Sequence, residues 1–315
     1  LETVRQNTPG IRHAVIVGGG LIGVELAEML VTRGIRVIFL VRETHFWGVV
    51  LPEEEGNLVA RHIKNHHVAL QFETELKEIV GDQDGKVCAV ITGKGEKIPC
   101  SFVGLTVGVS PNIDFIKNTA IETDRGVLIN SCFETSISGI YAIGDCAQFR
   151  EPFPGRRPVE QVWYTGKIHG ETVARTICGK KTSYMPGIWF NSAKFFDIEY
   201  QTYGTVMSQQ KEGEKNFYWE NPEGDKCVRI VYDAGTQAVL GFNFFGIRAR
   251  HTTCEYWIAN REKLPNVLCS MAASNFDPEF FKCFEKDIIS QYNSENPGKM
   301  ITLKTKKGLF SNRLT

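Results

Sequence analysis

The sequence predicts an α/β protein: a parallel, helix-covered sheet leads, and an α+β region built on an antiparallel sheet follows. Three observations carry that prediction. His13-Ala14-Val15-Ile16-Val17 is an apolar run too short for anything but a buried strand. A glycine-rich turn, Gly18-Gly19-Gly20-Leu21-Ile22-Gly23, follows at once and opens a segment with helical spacing. Past Thr182, aromatic residues crowd into short alternating segments separated by turn residues.

The elements follow in order. Ile22, Leu26, Met29 and Leu30 recur at helical spacing, Gly34 is placed to stop that helix, and Ile35 to Val41 is again a β-branched and apolar run. Strand, glycine turn, helix and strand make a βαβ unit with G-x-G-x-x-G at its first turn. Pro52 to Asn65 reads as a second helix, with Glu53, Glu54 and Glu55 suiting its N-terminal turn. Val68-Ala69-Leu70 is a third strand. Leu76 to Val80 and Val87 to Ile91, separated by a turn at Asp82 to Gly85 and followed by Gly93-Lys94-Gly95, form a β-meander. Phe102 to Leu105 closes this part as another buried strand.

The glycines give the first unit its chemistry. Gly18 permits the tight turn, Gly20 lets backbone approach a pyrophosphate, and Gly23 lets helix and strand pack closely. Together with Gly19, Leu21 and Ile22 they present a helix N-terminus, with its free N–H groups and partial positive charge, to phosphates. The first domain is therefore read as a Rossmann-like NAD(P)-binding domain with an inserted β-meander. Its second strand ends Leu40-Val41-Arg42-Glu43, where an NAD binder carries an acid for the ribose hydroxyls. Val41 accepts no hydrogen bond from its side chain. Arg42 suits a 2′-phosphate and Glu43 suits a plain ribose, so NADPH and NADH both stay open.

Composition narrows the classes. Thirty-six basic residues balance thirty-six acidic ones, which argues against a polyanion-binding surface and against nucleic acid as a partner. Apolar content of 42% and charged content of 23% are those of an ordinary globular protein, and no apolar run reaches the length of a membrane helix. Nothing near Leu1 resembles a signal peptide. The nine cysteines are scattered singly, without C-x-x-C or metal spacing, as expected of free thiols in a cytoplasmic protein. His62 and His66 lie four apart on the second helix without an acid in a zincin-like place between them. They read as surface histidines, and no metal is expected.

Further motifs make a resemblance specific. After G-G-G-L-I-G-V-E at Gly18 to Glu25 come T-V-G-V-S-P-N at Thr106 to Asn112 and T-D-R-G at Thr123 to Gly126. I-Y-A-I-G-D-C-A follows at Ile140 to Ala147. In that order and spacing the chain resembles the second half of the FAD-dependent pyridine nucleotide–disulfide oxidoreductases. Within that group it most resembles the single-flavin NAD(P)H reductases known as NADH dehydrogenase or nitrite reductase, relatives of rubredoxin reductase. The resemblance spans roughly Leu1 to Gly170, and weakly the remainder.

It implies FAD and NAD(P) as cofactors. Asp145, after Gly144, stands where the family aspartate binds the flavin's ribityl chain, and Gly108 belongs to the family's T-x-G segment. A helix from Pro158 to Ala174, with Gln161 and Val162 near its start, would face the flavin's pyrimidine edge. Gly166 and Gly170 would let that helix pack closely. Glu25 matches the catalytic-site glutamate near the flavin's reactive edge, which in the family pairs with a lysine from the first flavin half. Otherwise it is an ordinary acid in a helix's early turns.

There are departures too. The family begins with another glycine fingerprint for the ADP part of FAD, and this chain carries only that at Gly18. A hundred or more residues are thus expected ahead of Leu1, judged by about the size of a small domain. Any redox cysteines of the disulfide branch would lie there as well. The tryptophan by which the ferredoxin-reductase branch approaches its flavin falls, by register, on Ser192, so that role is not carried over.

The expected organisation is a NAD(P)-binding domain over residues 1–105, the second part of a FAD domain over 106–182, an α+β interface or dimerisation domain over 183–290, and a tail over 291–315. In the third region Trp189, Phe190, Phe195, Phe196, Tyr200 and Phe242 to Phe245 read as core. Turns are expected at Asn221 to Asp225 and Asp233 to Gly235, and helices near Cys254 to Asn260 and Pro278 to Lys286. The tail carries Lys304, Lys306, Lys307 and Arg313.

Two functional readings follow. One is an NAD(P)H:acceptor oxidoreductase that passes hydride to flavin, then electrons to a small molecule or small redox protein, with a homodimer possible for the family. The other is a non-catalytic NAD(P)-binding or redox-sensing module.

Overall fold

The computed structural model describes residues 10–277 and 279–304. Residues 1–9 of the expected first domain, Pro278, and Lys306, Lys307 and Arg313 of the expected tail lie outside the described residues. The chain divides into two compact units, one running to Val107 and again from Ser192, the other from Gly108 to Asn191.

In the first unit the nucleotide-type elements form as their periodicity dictates. β1 (His13–Val17), α1 (Leu21–Val31), β2 (Arg36–Leu40), α2 (Glu53–Asn65) and β3 (Ala69–Gln71) alternate. Gly34, at φ +72°, takes the left-handed conformation that ends α1, and its N–H donates to the Val31 carbonyl. β4 (Leu76–Gly81), β5 (Val87–Thr92) and β6 (Lys97–Pro99) form a separate antiparallel three-stranded sheet. The sequence pattern does not separate β6 from its neighbouring turn.

β7 (Phe102–Leu105) then returns beside β1, giving the parallel order β3-β2-β1-β7. The expectation of a buried fourth strand is corrected here. β7 is an edge strand, and Leu105 is 59% exposed.

The chain comes back into this unit through an antiparallel sheet. β10 (Phe190–Phe195), β11 (Ile198–Gly204), β12 (Glu214–Glu220), β13 (Cys227–Asp233) and β14 (Val239–Phe245) lie in the order β10-β11-β14-β13-β12. Both faces are covered, which is why β14 is apolar almost throughout and does not simply alternate. Phe242 and Phe244 face Trp257 and Tyr203 respectively, while Phe245 packs against Tyr200 and Phe195. Phe195, Phe196, Ile198 and Tyr200 join the core formed by α1, β2 and α2, so the two sheets of this unit share one core.

A buried polar knot fastens that junction. The Arg229 guanidinium donates to both Glu55 carboxylate oxygens at 2.6 and 2.8 Å, to Glu54 at 2.7 Å and to Asn216 at 2.7 Å. Asn243 donates to the same Glu55 carboxylate, and the Tyr218 ring lies 4.8 Å from the guanidinium carbon. Both charges are withdrawn from water, so removing either partner alone strands the other.

Helices α4 (His251–Ala259), α5 (Leu264–Cys269) and α6 (Glu285–Glu295) complete this unit. The expectation of a helix from Pro278 to Lys286 is corrected: α6 starts at Glu285 and runs beyond the expected domain end. Ile288, Ile289 and Tyr292 are buried along it, and Tyr292 meets Phe217 of β12.

The second unit is smaller. β8 (Val127–Ile129) and β9 (Ala147–Phe149) pair in parallel, and α3 (Trp163–Ile177) packs with them around Phe133, Phe149, Val173 and Tyr184. The expected start of its helix at Pro158 is also corrected. The Pro158 carbonyl accepts the Phe149 N–H, and the neighbouring Glu160 is held by Arg156 at 2.5 and 2.6 Å. That segment is thereby committed to pairing outside a helix, and α3 begins only after Val162.

Candidate functional site

In the first unit, the Gly18–Gly23 turn is closed below and open above. The Gly18 N–H donates to the Leu40 carbonyl at 2.9 Å, and the Thr106 hydroxyl donates to the carbonyls of Val17 and Gly18 at 2.9 and 3.0 Å. A Cβ at Gly18, whose φ is +105°, would lie 2.5 Å from the Thr106 carbonyl oxygen. At Gly23 it would lie 2.6 Å from the Gly18 carbonyl oxygen and 3.0 Å from the Phe39 ring. These two glycines are therefore demanded by the protein's own packing. Gly19 sits over Val41, whose buried side chain underlies the turn and has no exposure to a ligand.

Gly20 differs. It is extended (φ −107°, ψ −177°) and caps α1, and among the described residues a Cβ there would come no nearer than 3.8 Å to any atom, the Trp47 indole nitrogen. Its neighbours Leu21 and Ile22 open the helix, with Ile22 exposed, and their N–H groups have no partner within α1. Glu25 is exposed one turn further on. Trp47 and Thr106 escape a reading of the sequence as contributors to this turn. Trp47 follows β2 in an irregular loop with φ +52°, and no motif marks it.

At the end of β2 a cavity of about 600 Å³ opens beside Arg42, Glu43, Thr44, Glu73, Glu75 and Lys94. The Arg42 guanidinium is 68% exposed and donates to the Glu43 carboxylate at 2.9 Å. That hydrogen bond and the adjacent charge strengthen the guanidinium's hold on its proton. The two residues read from the sequence as alternatives are thus paired with one another.

In the second unit, Ile143 leads into a single turn over Gly144–Cys146. Gly144 has φ +72° with open space where a Cβ would stand, and Asp145 projects to solvent from this turn. The Gly144 N–H donates to His169 Nδ1 of α3 at 3.2 Å. His169 is 2% exposed, enclosed by the rings of Phe133, Phe149 and Tyr184, and burial lowers its pKa from the ordinary 6.5 to about 4. Its Nε2 has no hydrogen-bond partner among the described residues. Sequence reasoning missed this ring, because its partner lies 25 residues away and no motif includes it.

Val162 caps α3 without a side-chain hydrogen bond, Gln161 is exposed before it, and Trp163 is 72% exposed at the first position. Gly166 and Gly170 do not serve close packing as expected. A Cβ at Gly166 would meet Gly144 Cα at an ordinary 3.8 Å, and at Gly170 it would meet no described residue within 4 Å. Gly108 has φ +104° and is exposed, with open space around it.

A glycine turn under an open helix tip, on a parallel sheet with an inserted meander, defines a dinucleotide-binding architecture. Residues 2–170 match the pyridine nucleotide-disulphide oxidoreductase family, and the chain belongs to that family. It is 30% identical over 181 residues to the rubredoxin-NAD(+) reductase of Ectopseudomonas oleovorans, an alignment covering 58% of this chain and 47% of that one. It is 31% identical over 208 residues to a ferredoxin–NAD(P)(+) reductase of a Sphingomonas species, covering 64% and 49%. The chain thus spans about half the length of these relatives. Among solved structures it shares its fold with a NAD-dependent persulfide reductase from A. fulgidus, with a TM-score of 0.78 at 19% identity, covering 94% of this chain and 57% of that one.

Proposed function

We propose that this chain is the NAD(P)-binding part and the second flavin-binding part of an NAD(P)H-dependent flavin reductase whose electrons go to a small redox protein. The observation that carries the reading is Gly20. Gly18 and Gly23 are required by the fold, but nothing among the described residues objects to a side chain at Gly20. A residue kept bare where the protein has room is explained by a ligand that needs the room, and a pyrophosphate over the α1 tip is that ligand.

The backbone N–H groups of Leu21 and Ile22 would bind the phosphates, and the Arg42–Glu43 pair would meet the adenosine ribose. Arg42 turned outward favours a 2′-phosphate, and Glu43 alone serves a free hydroxyl. In the second unit Asp145 would accept hydrogen bonds from a ribityl chain. The α3 N-terminus after Val162, with Gln161 beside it, would offer its N–H groups to a pyrimidine edge. Glu25, exposed on α1, would lie on the nicotinamide side. When bound, FAD supplies hydride acceptance and release of electrons singly or in pairs. The similarity to rubredoxin and ferredoxin reductases supports a small redox protein as acceptor.

The test is Gly20→Ala, with NADH and NADPH binding measured by titration and unfolding measured in urea. The expected result is an affinity loss of about tenfold or more at essentially unchanged stability. Unchanged affinity for both nucleotides would overturn the reading.

A further inference from the structure

We propose that His62, His66 and Asp197 form a binding site for a zinc-class divalent cation that ties α2 to the β10–β11 hairpin. His62 lies in the last turn of α2 and His66 caps it, so their rings leave the same face one turn apart, with centroids 4.8 Å from each other. Asp197 arrives from the two-residue turn between β10 and β11. Its Oδ1 sits 2.5 Å from His62 Nε2 and 2.9 Å from His66 Nε2, across 135 and 131 residues of sequence. The three donor atoms all fall within 4.8 Å of one another.

The chemistry of this set is that of a borderline metal. Two imidazole nitrogens and one carboxylate oxygen suit Zn²⁺, Co²⁺ or Ni²⁺ and not the all-oxygen shells of Mg²⁺ or Ca²⁺. Ligand bonds of about 2.0–2.2 Å in a tetrahedron place donor atoms about 3.4 Å apart. The two spacings from Asp197 Oδ1 to the rings, bridged by protons, need to open by less than an ångström, and the widest donor pair, at 4.8 Å, needs to close by about 1.4 Å.

The support is uneven in a useful way. His66 stacks on Phe196 at 4.4 Å with 13° between planes, and the His62 side chain is 12% exposed, so both rings are held. Asp197, 74% exposed on its turn, is free to adjust and leaves an entry path with room for a water as fourth ligand. Among the described residues this is the one group of such side chains with that convergence.

The test uses the purified chain with Co²⁺ or Zn²⁺ alone. A single equivalent of Co²⁺ should give the visible absorption of a four-coordinate N/O site, be displaced by Zn²⁺, and lack the intense near-ultraviolet band of thiolate ligation. His62→Gln and, on the exposed turn, Asp197→Asn should each weaken Zn²⁺ binding by more than about tenfold, since changes even outside the ligand shell cost that much. In the unaltered chain Zn²⁺ should protect His62 and His66 from diethyl pyrocarbonate, read by peptide mass spectrometry. Thiolate absorption, affinity unchanged in both variants, or modification of the two histidines unaffected by Zn²⁺ would each overturn the proposal.

Discussion

The turn at Gly18, between β1 and α1, and the single helical turn at Gly144, just before β9, are both glycine corners, and they need glycine for different reasons. At Gly18 and Gly23 the space is already filled: backbone oxygens of Thr106 and Gly18 stand where a methyl would go. At Gly144 the space is empty, and only the positive φ excludes a side chain. The first turn is a packed joint with one bare position, Gly20, left over it. The second is a change of chain direction, closed by the Ala147 N–H on the Gly144 carbonyl and steadied by a hydrogen bond from the Gly144 N–H to a buried imidazole. Glycines in a fingerprint therefore divide into those that the fold requires and those that a ligand requires.

The largest test of that division is Gly18→Ala, which combines a left-handed φ with a clash against backbone. It should cost about 3 kcal/mol or more in urea unfolding, and a loss below about 1 kcal/mol would break the comparison. Gly23→Ala should follow at about 1–3 kcal/mol, since its neighbours are a backbone oxygen and the Phe39 ring.

Acid should act on the second turn in particular. His169 is held neutral in the fold, with its pKa lowered to about 4, whereas the unfolded chain takes up a proton near 6.5. Between those values the unfolded state binds more protons, so this group's contribution is present above pH 6.5 and is lost as pH falls toward 4. His169→Asn keeps an acceptor for the Gly144 N–H and does not titrate. Its stability curve should be flatter than that of the unaltered chain across this window, and parallel curves would refute the assignment.

Gly144→Ala should cost only about 1–2 kcal/mol, the ordinary cost of a left-handed backbone, with Gly144→Asn milder still. Smallest of all is Arg42→Ala, which leaves the turn intact. NADPH affinity should fall about fivefold while NADH affinity holds, a difference of about 1 kcal/mol, and equal losses would remove Arg42 as a phosphate ligand.

How much of this was legible depends on sequence separation. The succession β1, glycine turn, α1, β2 follows from spacings of three, four and two residues, and the structure reproduces it nearly to the residue. Even Gly34 could be placed, since the end of a helix is a local matter. The aromatic runs likewise announced a core, because side chains of that size have few other places to go.

What tertiary structure decided are the partnerships that no local pattern encodes. Pro158 to Val162 reads as the start of a helix until the Phe149 N–H claims the Pro158 carbonyl. β7 reads as buried until sheet order leaves it at an edge. Glu54 and Glu55 suit any helix N-terminus, yet they meet Arg229 from 175 and 174 residues away. His62 and His66 look like a solvated face until a hairpin turn carries Asp197 between them. Periodicity records which face of an element is apolar, because burial acts on each residue separately. Hydrogen bonds and ion pairs join specific atoms, and which atoms meet is decided only when the chain has closed on itself.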